Sequence, residues 1–454
     1  MDKVVNYIRS HEDVFLEELF GLLRIPSVSA RSEHRGDMVR CAERLAALLV
    51  EAGADRAEVM PTEGNPVVYA EKIVDPHART ILVYGHYDVM PVDPLEEWTS
   101  DPFEPVVRDG RIWGRGADDD KGQSFMHIKA FEAMCATGAL PCNVKFMLEG
   151  EEEIGSQSLY GFCRRNRRLL KSDVILVSDT SMISMDTPSI TCGLRGLTYM
   201  EVEVAGPDRD LHSGLYGGAV ANPANVLARL VASLIDGQGR VTVPGFYDDV
   251  RDLSPAERRA LNRAPFRLAD YRRALHVGDV AGEAGYTTME RTGVRPSLDV
   301  NGIWGGYIGE GTKTIIPSRA SAKISMRLVP NQDFRRIARL FERHFRAIAP
   351  RSVKVSVRFL HGGAPYVMPT GLPAYRAAER AVEATFGRKP LPFYSGGSIP
   401  IVSAFEEILG VKSVLLGFGL ACDAIHSPNE SFGLDQFRRG METIPYFYRY
   451  FAAM

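Results

Sequence analysis

The chain has 454 residues, of which 45% are hydrophobic and 24% are charged. This length exceeds what one hydrophobic core usually supports, so the sequence predicts two domains, and the apolar content excludes a disordered protein. Lys and Arg total 54 against 57 Asp and Glu, a formal net charge of −3, which argues against a nucleic-acid-binding or membrane-surface protein.

The six cysteines are scattered without a C-x-x-C pair, a pattern typical of reduced thiols in a reducing compartment. The first residues, MDKVVNYIRSHEDVFLEEL, carry charges every few positions, so we expect no signal peptide. No run approaches the roughly 18 apolar residues of a membrane-spanning helix. The sequence therefore predicts a cytoplasmic protein.

Helical and strand patterns alternate in the first part of the chain. Apolar residues at helical spacing predict helices at 4–23, 38–50 and 122–134. Short apolar runs predict strands at 66–70, 81–89, 144–148 and 174–177. Strands that alternate with helices of this length indicate an α/β fold with a mostly parallel sheet flanked by helices.

The pattern changes after Gly193. Residues 198–204 and 321–328 alternate between polar and apolar side chains, as half-exposed strands do. Asn222 precedes a proline and an apolar helical pattern, which predicts a capped helix, and a second helix is predicted at 334–347. This part is therefore predicted to be an α+β insert.

Histidines and acidic residues follow several predicted strands. His86 and Asp88 would share one face of the strand at 81–89, because residues i and i+2 of a strand point the same way. A buried histidine paired with a structural carboxylate explains these two residues equally well. Further motifs of this kind are GRGADDDKG at 114–122, EGEEEIGS at 149–156, SDT at 178–180 and AIHSPNE at 424–430.

Each motif alone fits a solvated acidic loop, but together they predict a metal site. Side chains that follow parallel strands meet at one edge of the sheet. Histidine nitrogen and carboxylate oxygen, without cysteine, suit Zn²⁺, Mn²⁺ or Co²⁺ in a catalytic site. A site with three ligand carboxylates is closer to neutral with two divalent ions than with one, so two ions are predicted.

Several ordered motifs resemble those of a dinuclear-zinc metallopeptidase family. This family includes cytosolic nonspecific dipeptidase, carnosinase, glutamate carboxypeptidase and the aminoacylase-type deacylases. The motifs are WGRGADDDKGQ, LEGEEEIGS, CGLRGLTYMEVEV, DLHSGLYGG, ISMRLVPN, GGSIP and HSPNE. The resemblance covers nearly the full length and is nearest to the dipeptidase branch.

The resemblance implies a set of metal ligands. His86, Asp119 and Asp179 would bind one ion. Asp119, Glu153 and His426 would bind the other, with Asp119 as the bridging ligand. The cofactors would be two divalent ions per subunit, Zn²⁺ in the first place and Mn²⁺ or Co²⁺ as alternatives.

The resemblance also implies catalytic roles. Glu152 would be the general base that removes a proton from the metal-bridging water, and Asp88 would orient His86. His212 would reach the site from the partner subunit and stabilise the oxyanion; a histidine of an ordinary turn is the alternative. The family's cis peptide bond is expected at Asp119–Asp120.

Five residues in matching motifs would hold the terminal carboxylate of the substrate. Arg327 would make the charged contact, because a guanidinium can bind a carboxylate through two hydrogen bonds. The other four are Thr314, His361, Gly397 and Ser398. A flexible turn is the alternative interpretation for Ser398.

These inferences predict a homodimeric metallohydrolase that cleaves dipeptides and has no nucleic-acid or membrane partner. Residues 1–195 and 366–454 would form the catalytic domain, and residues 196–365 the lid and dimerisation domain. An N-acetyl or N-succinyl amino acid deacylase on the same scaffold is one alternative. A catalytically silent metal-binding or interaction protein is another, against which the intact Glu152 argues.

Overall fold

A computed structural model describes residues 1–454. The helices α1–α14 are, in chain order, Asp2–Ser10, Glu12–Leu23, Arg35–Glu51, Lys121–Ala136, Gln157–Arg165, Ser213–Tyr216, Pro223–Ala232, Pro255–Leu261, Leu268–Ala274, Thr288–Gly293, Phe334–Ile348, Pro373–Phe386, Pro400–Leu409 and Leu434–Ala452. The strands β1–β18 are Arg56–Met60, Val67–Lys72, Thr80–His86, Val106–Arg108, Arg111–Trp113, Asn143–Glu149, Val174–Val177, Ser189–Leu194, Gly196–Ala205, Leu211–His212, Ser297–Gly305, Ile315–Ile316, Arg319–Leu328, Lys354–Gly363, Tyr366–Val367, Leu391–Ser395, Ser413–Leu415 and Ser431–Gly433. None of the helices combines the length and hydropathy that crossing a bilayer requires.

The chain divides into two compact units. Unit 1 comprises Met1–Cys192, Met368–Phe393 and Ala404–Met454. Unit 2 comprises Gly193–Val367 and Tyr394–Ser403. The main segment of unit 2 is thus inserted between two segments of unit 1, and the short segment Tyr394–Ser403 also belongs to unit 2. The catalytic and lid or dimerisation functions assigned to the two parts of the sequence stay predictions.

The sheet of unit 1 has a parallel centre. Its strand order is β1-β2-β6-β3-β7-β17-β8, and the four central strands β6, β3, β7 and β17 run parallel. The flanking strands β1, β2 and β8 are antiparallel to their neighbours. Central strands covered on both faces need continuous apolar sequence, and β6 and β7 are buried at every position. The predicted α/β architecture is confirmed.

Helix α4 is the most deeply buried helix that bears on the site. Every residue from Lys121 to Ala130 is buried, and the helix packs against α1, α2, α14 and strand β3. An amphipathic surface helix would show one solvated face, and α4 shows none. Its amino terminus, which follows Asp120, is therefore held firmly against the sheet.

Two predicted elements have different bounds. The helix predicted at 4–23 is two helices, because His11 leaves helical geometry with φ −113° and ψ 9° between α1 and α2. The strand predicted at 81–89 ends at His86. Beyond it, Tyr87 N still donates to Glu149 O at 2.8 Å. Asp88 follows the strand by two residues, and its Oδ1 lies 3.3 Å from His86 Nδ1.

Unit 2 contains a separate antiparallel sheet of four strands in the order β11-β13-β9-β14. Strand β9 alternates strictly between buried and half-buried residues, as its sequence predicted. Its buried side chains pack with those of α7 and α11, among them Leu227 and Phe341, in one hydrophobic core. Strand β11 was not predicted, because its pairing register shifts between Val300 and Gly302 and interrupts the alternation.

Candidate metal centre

The parallel strands bring the site residues together at one sheet edge. His86 is the last residue of β3 and pairs with Glu149, the last residue of β6. Asp179 follows the end of the neighbouring strand β7 by two residues. Because parallel strands present their carboxyl ends at the same edge, the segments that follow them converge there.

Five side chains form two overlapping groups around Asp119. His86 Nε2 lies 3.1 Å from Asp119 Oδ1 and 3.9 Å from Asp179 Oδ2. His426 Nε2 lies 2.9 Å from Asp119 Oδ2 and 3.3 Å from Glu153 Oε2. In each group of three, the potential ligand atoms lie within 4.8 Å of one another. The two oxygens of Asp119 thus face different histidines, as a bridging carboxylate requires.

Asp88 contacts both the backbone of Glu152 and Glu153 and the ring of His86. Its Oδ1 accepts the Glu152 backbone N–H at 3.2 Å, and its Oδ2 accepts the Glu153 N–H at 3.1 Å and the Ser29 hydroxyl at 2.6 Å. His86 Nδ1 lies 3.0 Å from the Asp88 carbonyl oxygen and 3.3 Å from Asp88 Oδ1. A proton on Nδ1 leaves Nε2 free to bind a cation, which is the arrangement of metal-binding histidines.

Buried negative charge dominates the electrostatics of the cluster. Burial raises the pKa of Glu152 to about 8 and that of Asp120 to about 7. Hydrogen bonds to Asp119 and Glu153 raise the pKa of His426 to about 10. The causes differ, because loss of water disfavours the charged form of a carboxyl group, whereas hydrogen bonds to carboxylates favour the charged form of the histidine.

The residues present fit a pair of divalent cations. The cluster gathers six carboxyl groups and two imidazoles, so it carries a large negative charge when the acids are ionised. Glu153 Oε1 is buried and has no hydrogen-bond partner. Nitrogen and oxygen donors without sulfur suit Zn²⁺, Mn²⁺ or Co²⁺. The acids are Asp88, Asp119, Asp120, Glu152, Glu153 and Asp179.

The peptide bond Asp119–Asp120 is cis, as expected.

Three further predicted residues lie in unit 2. His212 is exposed at the start of helix α6, where its Nδ1 accepts a backbone N–H two residues along the chain at 3.0 Å. Thr314 is its neighbour, because Ser213 N donates to Thr314 O at 3.1 Å. His361 lies on β14, and its ring packs edge-to-face against Tyr199 at 5.1 Å.

The remaining residues predicted to bind substrate, Arg327, Gly397 and Ser398, lie next to a second arginine, Arg195. Arg327 Nη1 donates to Ser398 Oγ at 2.7 Å, and the Ser398 hydroxyl donates to the Arg195 carbonyl oxygen. Arg195 N donates to Gly397 O at 3.1 Å. Burial and then the charge of Arg327 lower the pKa of Arg195 to about 10. The sequence reasoning missed Arg195, although it is the arginine of the motif CGLRGLTYMEVEV.

The sequence reasoning also missed a buried ion pair beside Asp119. Arg115 Nη1 lies 2.7 Å from Glu430 Oε2, and both side chains are buried. Glu430 Oε1 accepts the Asp119 backbone N–H at 3.0 Å. The signal was present in the sequence, because Arg115 and Glu430 belong to the motifs that contain Asp119 and His426.

Known proteins resemble the chain over nearly its whole length. The peptidase family M20/M25/M40 matches residues 82–449. The Cys-Gly metallodipeptidase dug1 of Schizosaccharomyces pombe is 32% identical, over 97% of this chain and 96% of that protein. The Beta-Ala-His dipeptidase of Homo sapiens is 34% identical, over 95% of this chain and 88% of that protein. The crystal structure of human carnosine dipeptidase 1 superposes with a TM-score of 0.87 at 33% identity, covering 100% of this chain and 99% of that one.

Proposed function

Since the chain belongs to the peptidase family M20/M25/M40, we propose that it is a metallopeptidase that hydrolyses the amide bond of dipeptides. The relatives named above act on Cys-Gly and Beta-Ala-His, which supports a dipeptide as substrate. The observation that carries the proposal is the carboxylate of Asp119, whose oxygens lie 3.1 Å and 2.9 Å from His86 and His426.

We expect two divalent ions per subunit. One would bind His86, Asp119 and Asp179, and the other would bind Asp119, Glu153 and His426. Zn²⁺ is the first choice, with Mn²⁺ and Co²⁺ as alternatives. When bound, such ions lower the pKa of a shared water molecule and polarise the scissile carbonyl group.

Glu152 is the proposed general base. Its carboxylate would accept a proton from the attacking water and deliver that proton to the leaving amine. Burial raises the pKa of Glu152 to about 8, and proton transfer is most efficient when the pKa of the catalytic group lies near the working pH. Asp88 holds both the backbone N–H of Glu152 and the ring of His86, so it positions the base and a ligand together.

Arg327, Ser398 and Arg195 in unit 2 form the proposed binding site for the substrate carboxylate. A dipeptide carries a terminal carboxylate, and the Arg327 guanidinium can bind it through charge-assisted hydrogen bonds. Ser398 already accepts a hydrogen bond from Arg327 and is fixed by the Arg195 carbonyl. Thr314, His361 and Gly397 complete the proposed substrate contacts.

We expect a homodimer that forms through unit 2, with His212 stabilising the oxyanion in the partner's site. Aromatic residues are enriched in protein interfaces, and the large aromatic side chains exposed on this chain all lie in unit 2. They are Tyr216, Trp304, Tyr307 and Phe359. The six free cysteines support a reducing compartment such as the cytoplasm.

The substrate class can be tested with the purified protein. Metal-depleted protein is reloaded with Zn²⁺, Mn²⁺ or Co²⁺ and assayed with Cys-Gly, Beta-Ala-His, and N-acetyl and N-succinyl amino acids. We expect hydrolysis of dipeptides only after reloading. Preferential cleavage of the N-acyl amino acids would make the protein a deacylase on the same scaffold, and full activity without metal would overturn the mechanism.

A further inference from the structure

A single buried carboxylate connects the two loops that hold Asp119 and His426. Glu430 is 0% exposed, and its partner Arg115 is 1% exposed. Glu430 follows His426 by four residues, and Arg115 precedes Asp119 by four. The pair therefore lies at the base of both loops, although Arg115 and Glu430 are more than 300 residues apart along the chain.

Both oxygens of Glu430 are saturated by donors from the Asp119 loop. Its Oε1 accepts the backbone N–H groups of Asp118 and Asp119, each at 3.0 Å. Its Oε2 accepts the Gly116 N–H at 3.1 Å and the Arg115 guanidinium at 2.7 Å. Four donors on two oxygens require an ionised carboxylate, because a carboxamide would direct N–H groups at N–H groups.

The backbone of Glu430 is fixed to the same segment. Gly114 N donates to Glu430 O at 3.1 Å, and the next residue, Ser431, pairs with Trp113 in the β5–β18 ladder. Ser431 N also donates to Asp423 O at 2.9 Å, which closes the loop that carries His426. A shift of Glu430 therefore changes the position of His426 relative to Asp119.

We propose that Glu430, held by Arg115, is a positioning residue that sets the separation of Asp119 from His426. It would thereby determine the ion affinity of the Asp119, Glu153 and His426 site. This inference rests on the proposed metal function. The other site shares Asp119 but depends less on Glu430, because its ligand His86 is held independently. The Asp88 carbonyl oxygen lies 3.0 Å from His86 Nδ1, and Asp120 accepts the His86 backbone N–H at 3.0 Å.

Calorimetric titration of metal-depleted protein with Zn²⁺ tests the proposal. In Glu430→Gln, we expect the Asp119, Glu153 and His426 site to lose about 10- to 100-fold in affinity, which is the usual effect of removing a group that orients a ligand. The other site shares Asp119, so its affinity should also fall, but by a smaller factor. A His426→Ala variant identifies which binding step belongs to the affected site.

Glu283→Gln is the matched control. Glu283 is likewise buried, at 5% exposure, and pairs with an arginine, Arg295, at 2.7 Å in unit 2. We expect this variant to lose stability without a change in either ion affinity. The proposal is overturned if Glu430→Gln binds both ions as the wild type does, or if both affinities fall equally.

Glu430→Asp is the second variant, because it keeps the charge beside Arg115 but shortens the side chain. It should fold and show the same selective loss of affinity. Failure of Glu430→Asp to fold would overturn the proposal, because the pair would then determine folding rather than ligand position. If the wild-type protein itself binds no pair of ions, the proposed function fails instead, so the two failures are distinguishable.

Discussion

Three consecutive glutamates have three different environments. The carboxylate of Glu151 accepts the backbone N–H groups of Asn65 and Ser158, each at 2.9 Å, and so joins two segments of the backbone. Glu153 lies within 3.3 Å of His426 and is a potential ligand. Glu152 has its pKa raised to about 8, mainly by burial. Of the three, Glu152 is therefore the carboxyl group suited to proton transfer.

Replacing Glu152 by Gln should separate metal binding from proton transfer. We expect the metal content to stay at the wild-type value, because Glu152 is not among the proposed ligands. The kcat should fall by roughly 10²- to 10⁴-fold, the usual contribution of general acid–base catalysis. Metal content and steady-state kinetics measure the two effects, and a kcat near that of the wild type would contradict the assignment of the base.

Arg327→Met should weaken recognition of the substrate carboxylate. Charged hydrogen bonds contribute about 1.5–3 kcal/mol, so kcat/KM for a dipeptide should fall by roughly 10- to 100-fold. The same dipeptide with its terminal carboxylate converted to an amide should show little further loss in the variant. If the substitution lowers kcat/KM by the same factor for the dipeptide and for its amide, Arg327 does not contact the carboxylate.

At the scale of elements, the burial of helix α4 predicts an acid-sensitive fold. His127 lies on this helix, fully buried, with Nε2 2.8 Å from Ser178 Oγ. Burial lowers the pKa of His127 to about 3. The unfolded chain, in which the histidine pKa is about 6.5, then binds a proton that the folded chain excludes. Stability is therefore lost as the pH falls from about 6.5 towards 3.

This effect should account for about 2 kcal/mol of unfolding free energy between pH 8 and pH 5. In His127→Gln, the loss of stability over this range should be smaller by that amount. Urea unfolding at each pH measures the difference, and His77→Gln, which changes an exposed histidine, is the control. An unchanged pH dependence in His127→Gln would show that His127 has the same pKa in the folded and unfolded protein.

Element prediction worked best where the local pattern was complete. Strand β7 was predicted at 174–177 and is Val174–Val177, because a short apolar run without polar interruptions suits a fully buried strand. Strand β11 was missed, since its residues from Asp299 to Gly305 are mostly exposed and include a register shift. A strand that packs only one weakly apolar face leaves little periodicity in its sequence.

At the scale of the whole molecule, the proposed dimer can be tested by mixing two inactive variants. Glu152→Ala lacks the base, and His212→Ala lacks the oxyanion donor. If His212 acts in the partner's site, a mixed dimer has one complete site, formed by Glu152 of one subunit and His212 of the other. After random reassociation, about a quarter of wild-type activity should return. No recovery from a mixture that forms mixed dimers would show that His212 acts within its own subunit.

The sequence by itself determined the α/β fold class and the succession of strands and helices along the first part of the chain, and it contained the motifs whose resemblance to a known family implies the metal ligands. These features are local, because an apolar run, a capping residue or an acid after a strand is contained within a few neighbouring positions. The ligand motifs were readable because each follows or precedes such an element.

Only the tertiary structure decided which distant residues share a contact. The Arg115–Glu430 pair and the grouping of Arg195 with Gly397 and Ser398 join segments about 200 or 300 residues apart. Such contacts depend on burial and on hydrogen bonds formed after the chain has folded, and no short stretch of sequence contains both partners.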